Sequence, residues 1–156
     1  MIIPDIYEST IFAKILFNLW DTYRGDKDAL GLIHTSAKYG FDTNGVIYDT
    51  IEYIDTDFLI LTGEIDSAEG QDELRERVEV EIKEAYPDAK VHTLTEEDKA
   101  NFVAVGRLIY EDIKTDPEKL ANYAAFLHLI DKNIPQPVNE FTELISLVKR
   151  RIQELK

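Results

Sequence analysis

Apolar residues recur along this chain at two different spacings. Ile6, Phe12, Ile15, Leu16, Leu19 and Tyr23, with Trp20 alongside, repeat at intervals of three and four. They predict an amphipathic helix from Asp5 to Tyr23, with Asp5 as its cap and Glu8 three residues later completing the capping pair. Gly25-Asp26 breaks it. A weaker helix is expected over Asp28 to Tyr39, where Gly31 interrupts and Leu32 and Ala37 are apolar. Leu74, Val78, Ile82 and Ala85 share one face of a further helix from Asp72 to Ala85, supported by the i,i+4 pairs Glu73–Arg77 and Glu79–Lys83 and stopped by Pro87.

The C-terminal third is helical throughout by the same criterion. Thr95 reads as an N-cap ahead of Glu96, Glu97 and Asp98, whose charges suit the helix dipole. Phe102, Val105, Leu108, Ile109 and Ile113 form the inward face of that helix, to about Lys114. Asp116-Pro117 starts another, to about Asn133, with Leu120, Tyr123, Ala124, Leu127 and Ile130 inward. In the last, Val138 to Lys156, Phe141, Ile145, Val148, Ile152 and Leu155 make a heptad seam that Leu144 widens.

The second spacing is that of strands. Val46 to Ile54 is rich in β-branched and aromatic residues, with Ile47, Ile51 and Tyr53 on one parity and Tyr48, Thr50 and Glu52 on the other. Asp55-Thr56 can turn the chain, and Phe58 to Leu61 is a continuous apolar run of the kind found in covered strands. Lys90 to Leu94 reads as a third short strand. The expected fold class is therefore α+β: a small three-stranded sheet (hairpin plus crossover), packed by N-terminal helices and a C-terminal three-helix layer, in one domain over residues 1–156.

Charge sharpens this picture. The formal net charge is −14, and residues 46–100 hold 17 acids against 5 bases, whereas residues 101–156 hold 8 of each. The acidity belongs to the middle of the chain. Such a field repels nucleic-acid phosphates and attracts basic surfaces. There is no cysteine, which excludes disulfides, thiol catalysis and cysteine-bound zinc. The N-terminus lacks the pattern of a signal peptide, and no apolar run approaches the roughly 20 residues of a spanning helix. The expectation is a cytoplasmic protein that engages neither membrane nor nucleic acid directly.

Candidate chemistry is sparse. No phosphate-binding glycine loop, nucleophile elbow or His-Glu-x-x-His occurs. His34, His92 and His128 are far apart, and none of Ser9, Ser36, Ser67 and Ser146 has an activating context. The acidic stretch Glu64 to Glu73 fails as a calcium loop, because alignment on Gly70 puts Ile65 at the first ligand position. No catalytic residue, metal site or cofactor is expected. What remains is binding: an acidic inhibitor-like or regulatory protein that engages a basic partner surface through Asp49, Glu52, Asp55 and Asp57 on the hairpin and Glu64, Asp66, Glu69, Asp72 and Glu73 beyond it. Two alternatives stand beside it. One is an assembly subunit that forms a homodimer through the Phe141–Leu155 seam; the other is a small-ligand enzyme.

Overall fold

A computed structural model describes residues 6–38 and 45–156, and every regular element in them is a helix. The elements are α1 (Ile6–Thr22), α2 (Lys27–Ser36), α3 (Gly45–Leu61), α4 (Gln71–Ala85), α5 (Glu96–Ile113), α6 (Pro117–Asn133) and α7 (Asn139–Glu154). The expected Asp5 cap lies outside the described residues.

The architecture is organised by α1. From Ser9 to Trp20 every residue of this helix is buried, including Thr10, Lys14 and Asn18. A helix apolar on nearly all sides must be surrounded. α4, α3, α2, α6 and α5 stand around α1 in that order, each touching the next and each touching α1. Between α4 and α5, which do not meet among the described residues, the irregular segment 86–95 closes the ring. Outside, α7 lies across α5 and α6, burying Phe141, Leu144, Ile145 and Val148 there. The heptad seam is thus occupied within the chain. One continuous core takes residues from all seven helices.

The α+β expectation is corrected: among the described residues there is no strand and no sheet. The two runs predicted as a hairpin, Val46 to Ile54 and Phe58 to Leu61, form the single helix α3, and Asp55-Thr56 lies in its middle. Its inward stripe is Thr50, Tyr53, Ile54 and Asp57, at the helical spacing of three, one and three. Half of that stripe is polar, so the helical period is hidden in the hydrophobic pattern. Its β-branched residues lower helix propensity by only tenths of a kcal/mol each, of order 0.5, which tertiary burial outweighs.

Lys90 to Leu94 is likewise not a strand but an irregular, turn-containing segment. Its carbonyls find side chains instead of a neighbouring strand. Lys14 donates to the Thr93 carbonyl at 3.0 Å, Asn18 to that of Val91 at 2.8 Å, and Lys83 to that of Ala89 at 3.0 Å. Lys14 and Asn18 are one helical turn apart on α1 and hold the two sides of the turn that the Thr93 amide closes on the Lys90 carbonyl.

Element ends follow local chemistry. Asp26 caps α2 by accepting from the Ala29 amide, Thr95 and Asp98 form a reciprocal capping box on α5, and Asp116 caps α6 with Pro117 in its first turn. α3 stops at Gly63, whose φ of 79° is left-handed; its amide bonds the Ile60 carbonyl and the next amide, Glu64, bonds that of Leu59. That pair of bonds is a Schellman stop, which glycine makes without a Cβ penalty. Lys99 is buried and holds the turn between α6 and α7, donating to the carbonyls of Ile134 (3.0 Å) and Gln136 (2.9 Å) and pairing with Asp131 at 2.7 Å.

Gly106 marks the closest helix approach. A Cβ there would stand 2.4 Å from Leu144 Cδ2 and 2.9 Å from the Tyr123 hydroxyl, which donates to the Gly106 carbonyl. Leu144 and Tyr123 are both fully buried. Gly106→Ala is therefore expected to destabilise the protein by about 1–3 kcal/mol through overpacking, despite alanine's better helix propensity. Urea unfolding followed by the fluorescence of Trp20, the one tryptophan, measures it; a variant as stable as the parent contradicts the packing described.

Candidate functional site

Residues 39–74 contain ten acids and no lysine or arginine. The fold divides the described acids of this stretch into two sets. Asp49, Asp55 and Asp57 are engaged within the molecule. Asp57 is buried on the inner side of α3, where it accepts from Trp20 Nε1 at 2.7 Å and meets Arg24 at 3.2 Å. Asp55 pairs with His34 Nε2 at 2.5 Å and Lys38 at 3.0 Å, and the His34 ring stacks on Phe58 with centroids 4.4 Å apart. Asp49 faces α4 and lies 3.8 Å from Arg77. Expected as surface contacts on a hairpin, these three instead bind α3 to α1, α2 and α4.

Glu52, Glu64, Asp66, Glu69, Asp72 and Glu73 are exposed and form no ion pair among the described residues. Five of them lie within ten residues, on the α3–α4 connection and the first turn of α4. Gly63 and Gly70, the two glycines with left-handed φ, bracket this connection. α4 begins at Gly70, which offers no side-chain cap. Asp72 and Glu73 stand at the positive end of the α4 dipole, where negative charge is favourable. The result is an acidic end on the molecule that the core does not use.

Arginines are held away from it. Arg75 points toward α1, donating to both carboxylate oxygens of Asp21 at 2.8 and 2.7 Å and to the Tyr53 hydroxyl at 3.1 Å. Its guanidinium lies 4.6 Å from the centre of the Phe17 ring. The hydrogen bonds that Arg75 donates to Asp21 hold it protonated more firmly than usual, against the opposing effect of burial. Arg24 also donates to the Tyr53 hydroxyl, at 2.5 Å. These contacts knit α1, α3 and α4 together and engage Arg24 and Arg75 within the molecule.

Histidine chemistry does not assemble. His34 belongs to the α2–α3 contact, His92 lies 3.5 Å from Glu79 and against the Phe17 ring, and His128 is exposed on α6. No group of three His, Asp or Glu side chains among the described residues is disposed to hold a metal ion. Open surface cavities occur among the described residues. One, about 510 Å³, lies where segment 86–95 spans the gap between α4 and α5, with Lys14 and Asp98 in its wall; another, about 590 Å³, lies beside His34, Lys38 and Asn122. Lys14 is paired with Asp98 in the first, and beside the second His34 and Lys38 both pair with Asp55. No described helix is long and apolar enough to cross a membrane.

One carboxyl group is perturbed. Glu81, on α4, meets Asp49, and its Oε2 is buried with no hydrogen-bond partner among the described residues. Loss of hydration, reinforced by the hydrogen bond and repulsion from Asp49, raises its pKa to about 7 from an ordinary 4.5; Arg77 opposes this and Glu84 adds to it. The folded state therefore holds a proton that the unfolded chain releases near pH 4.5. Glu81's contribution to stability is full below that pH and is lost as pH rises through about 7. Glu81→Gln cannot lose that proton. Its stability relative to the parent, from urea unfolding at a series of pH values, is expected to rise between pH 4.5 and 7 and level off above; a difference independent of pH contradicts the carboxyl pair.

No protein-family model matches the chain, and no curated protein or solved structure matches it either.

Proposed function

We propose that this protein binds a basic protein partner, and that its acidic α3–α4 end is the contact surface. The observation that carries the reading is the division of the acids. The folded core consumes Asp49, Asp55 and Asp57, yet leaves Glu64, Asp66, Glu69, Asp72 and Glu73 together in solvent with no cation among them. Like charges set side by side oppose folding, and their repulsion is relieved when a cationic surface docks on them. An inhibitor-like or regulatory role follows from such a surface, because covering a partner's basic patch blocks whatever anion that patch serves.

The same division sets what such binding should look like. Exposed charges act over about 10 Å at 0.1 M salt and about 3 Å at 1 M, so association should weaken steeply with ionic strength. Nucleic acid is a poor partner for this face, since its phosphates carry the same sign.

The test is capture from host extract on the immobilised protein, at low salt and in 1 M salt. Reversal of Glu64, Asp66, Glu69, Asp72 and Glu73 to Lys is expected to abolish capture of the salt-sensitive partner. Reversal of the exposed acids Asp112, Glu118 and Glu140, at a distance from this end, is expected to leave it intact. Both variants should melt close to the parent, since none of these side chains is buried. Equal capture by the parent and the five-site variant overturns the proposal.

A further inference from the structure

The outer face of the α3–α4 pair carries more than charge. Tyr48 (49 % exposed) and Val80 (52 %) are the exposed large hydrophobic residues among those described. The register of the pair brings them to the same level. Asp49 faces both Arg77 and Glu81, while further along Tyr53 meets Arg75 and its carbonyl accepts from Gln71. The helices thus run antiparallel, with Tyr48 beside Asp49 on one and Val80 between Arg77 and Glu81 on the other. Both point away from the inward stripes of Thr50, Tyr53, Ile54 and Asp57 and of Leu74, Val78 and Ile82.

Exposed acids flank these two apolar tips. Glu52 lies one turn from Tyr48, and Glu73, Glu76, Val80 and Glu84 follow one another at intervals of three and four along α4. The cations of α4 on this side are engaged: Arg77 with Asp49, and Lys83 with the Ala89 carbonyl. Between the two helices at this level the carboxyl groups of Asp49 and Glu81 meet, and burial, reinforced by the Asp49 contact, keeps a proton on Glu81 near neutrality.

We propose that this face receives a basic amphipathic helix of the partner, with an apolar side chain seated between Tyr48 and Val80 and arginine or lysine side chains reaching Glu52, Glu73, Glu76 and Glu84. The inference rests on the acidic-surface reading above and adds the partner's structural class. A helix is favoured because α3 and α4 use their backbone groups internally and offer no sheet edge for a strand, and because a proline-rich ligand needs several aromatic residues where this face has one. The row from Glu73 to Glu84 covers 12 residues, about 16 Å at roughly 1.5 Å per step, or about three turns of a docked helix. A second copy of this chain does not fit, since two bodies of net charge −14 repel.

The groups around Glu81 are Asp49 from α3 and Arg77 and Glu84 from α4. A guanidinium arriving there favours the ionised carboxylate, so docking releases the Glu81 proton. Affinity should then rise as pH rises through about 7.

The probe is a synthetic 18-residue helical peptide with leucine on one face and arginine on the other. It is titrated into the isotope-labelled protein with amide shifts recorded, beside a peptide of identical composition in which the two faces are scrambled. Shifts centred on residues 48–52 and 73–84 are expected, with the scrambled peptide at least tenfold weaker. Tyr48→Ser combined with Val80→Ser should weaken binding tenfold or more, and Glu81→Gln should flatten the pH dependence between 6 and 8. Unchanged affinity in the Tyr48/Val80 double variant, equal binding of the scrambled peptide, or no binding of the amphipathic peptide overturns the helix-docking proposal. If shifts instead gather on residues 62–73 and vanish in the five-site reversal, helix docking fails while the acidic-surface reading stands. If the peptide is bound equally by the five-site reversal and by the Tyr48/Val80 variant, both fail.

Discussion

The structure depends on one awkward requirement: a helix buried on every side carries a lysine. Lys14 sits in the middle of α1 with its ammonium group out of water, 2.6 Å from Asp98 and 3.0 Å from the Thr93 carbonyl. An isolated charge in such a place is prohibitive, so a carboxylate must accompany it. Asp98 is fixed from the other side by its own helix, since the same oxygen accepts from the Thr95 amide in the capping box of α5. The pair therefore sets where α5 begins and how segment 86–95 runs. Asn18 and Trp20 repeat the logic one and two turns on, with the Val91 carbonyl and Asp57 as partners. The polar groups of α1 thus tie down, in turn, the ring's closing segment, α5 and α3.

This requirement also explains the charge distribution. An acidic chain that surrounds a helix with buried donors has inward work for some of its carboxylates: Asp98 and Asp57 accept from α1, and Asp21 fixes Arg75. Of the acids left over, Glu64, Asp66, Glu69, Asp72 and Glu73 lie together on the α3–α4 connection and the first turn of α4. The excess of negative charge in residues 46–100 is therefore two populations, one that stabilises the helix packing and one that lies in solvent.

The sequence shows which parts of this were legible. Helices α4 to α7 were plain because their apolar residues fall on one stripe, and α5 and α6 also start on strong caps, Thr95 with Asp98 and Asp116 with Pro117. α3 was misread because its buried stripe includes the polar Thr50 and Asp57, and Asp57 fits the interior through partners more than 30 residues away, Trp20 and Arg24. Its visible apolar residues happen to alternate. Lys90 to Leu94 was misread because side chains of α1 satisfy its backbone, which no local pattern reveals. Of the candidate surface, Glu52, Glu64, Asp66, Glu69, Asp72 and Glu73 lie in solvent, while Asp49, Asp55 and Asp57 face the neighbouring helices. Tyr48 and Val80 gave no signal, since an exposed apolar residue is recognised only once the inward face is known.

The most direct test of this account is a double-mutant cycle on Lys14 and Asp98, with unfolding free energies from urea titration. Asp98→Asn keeps an acceptor for the Thr95 amide, so it removes charge without removing the cap. Lys14→Met alone should cost about 3–5 kcal/mol, because it strands a carboxylate in the interior. Adding Asp98→Asn to it should return a substantial part of that loss, leaving a coupling energy above about 1 kcal/mol. If Lys14→Met is tolerated within about 0.5 kcal/mol, or if the two losses simply add, the buried pair is not what the fold is built around.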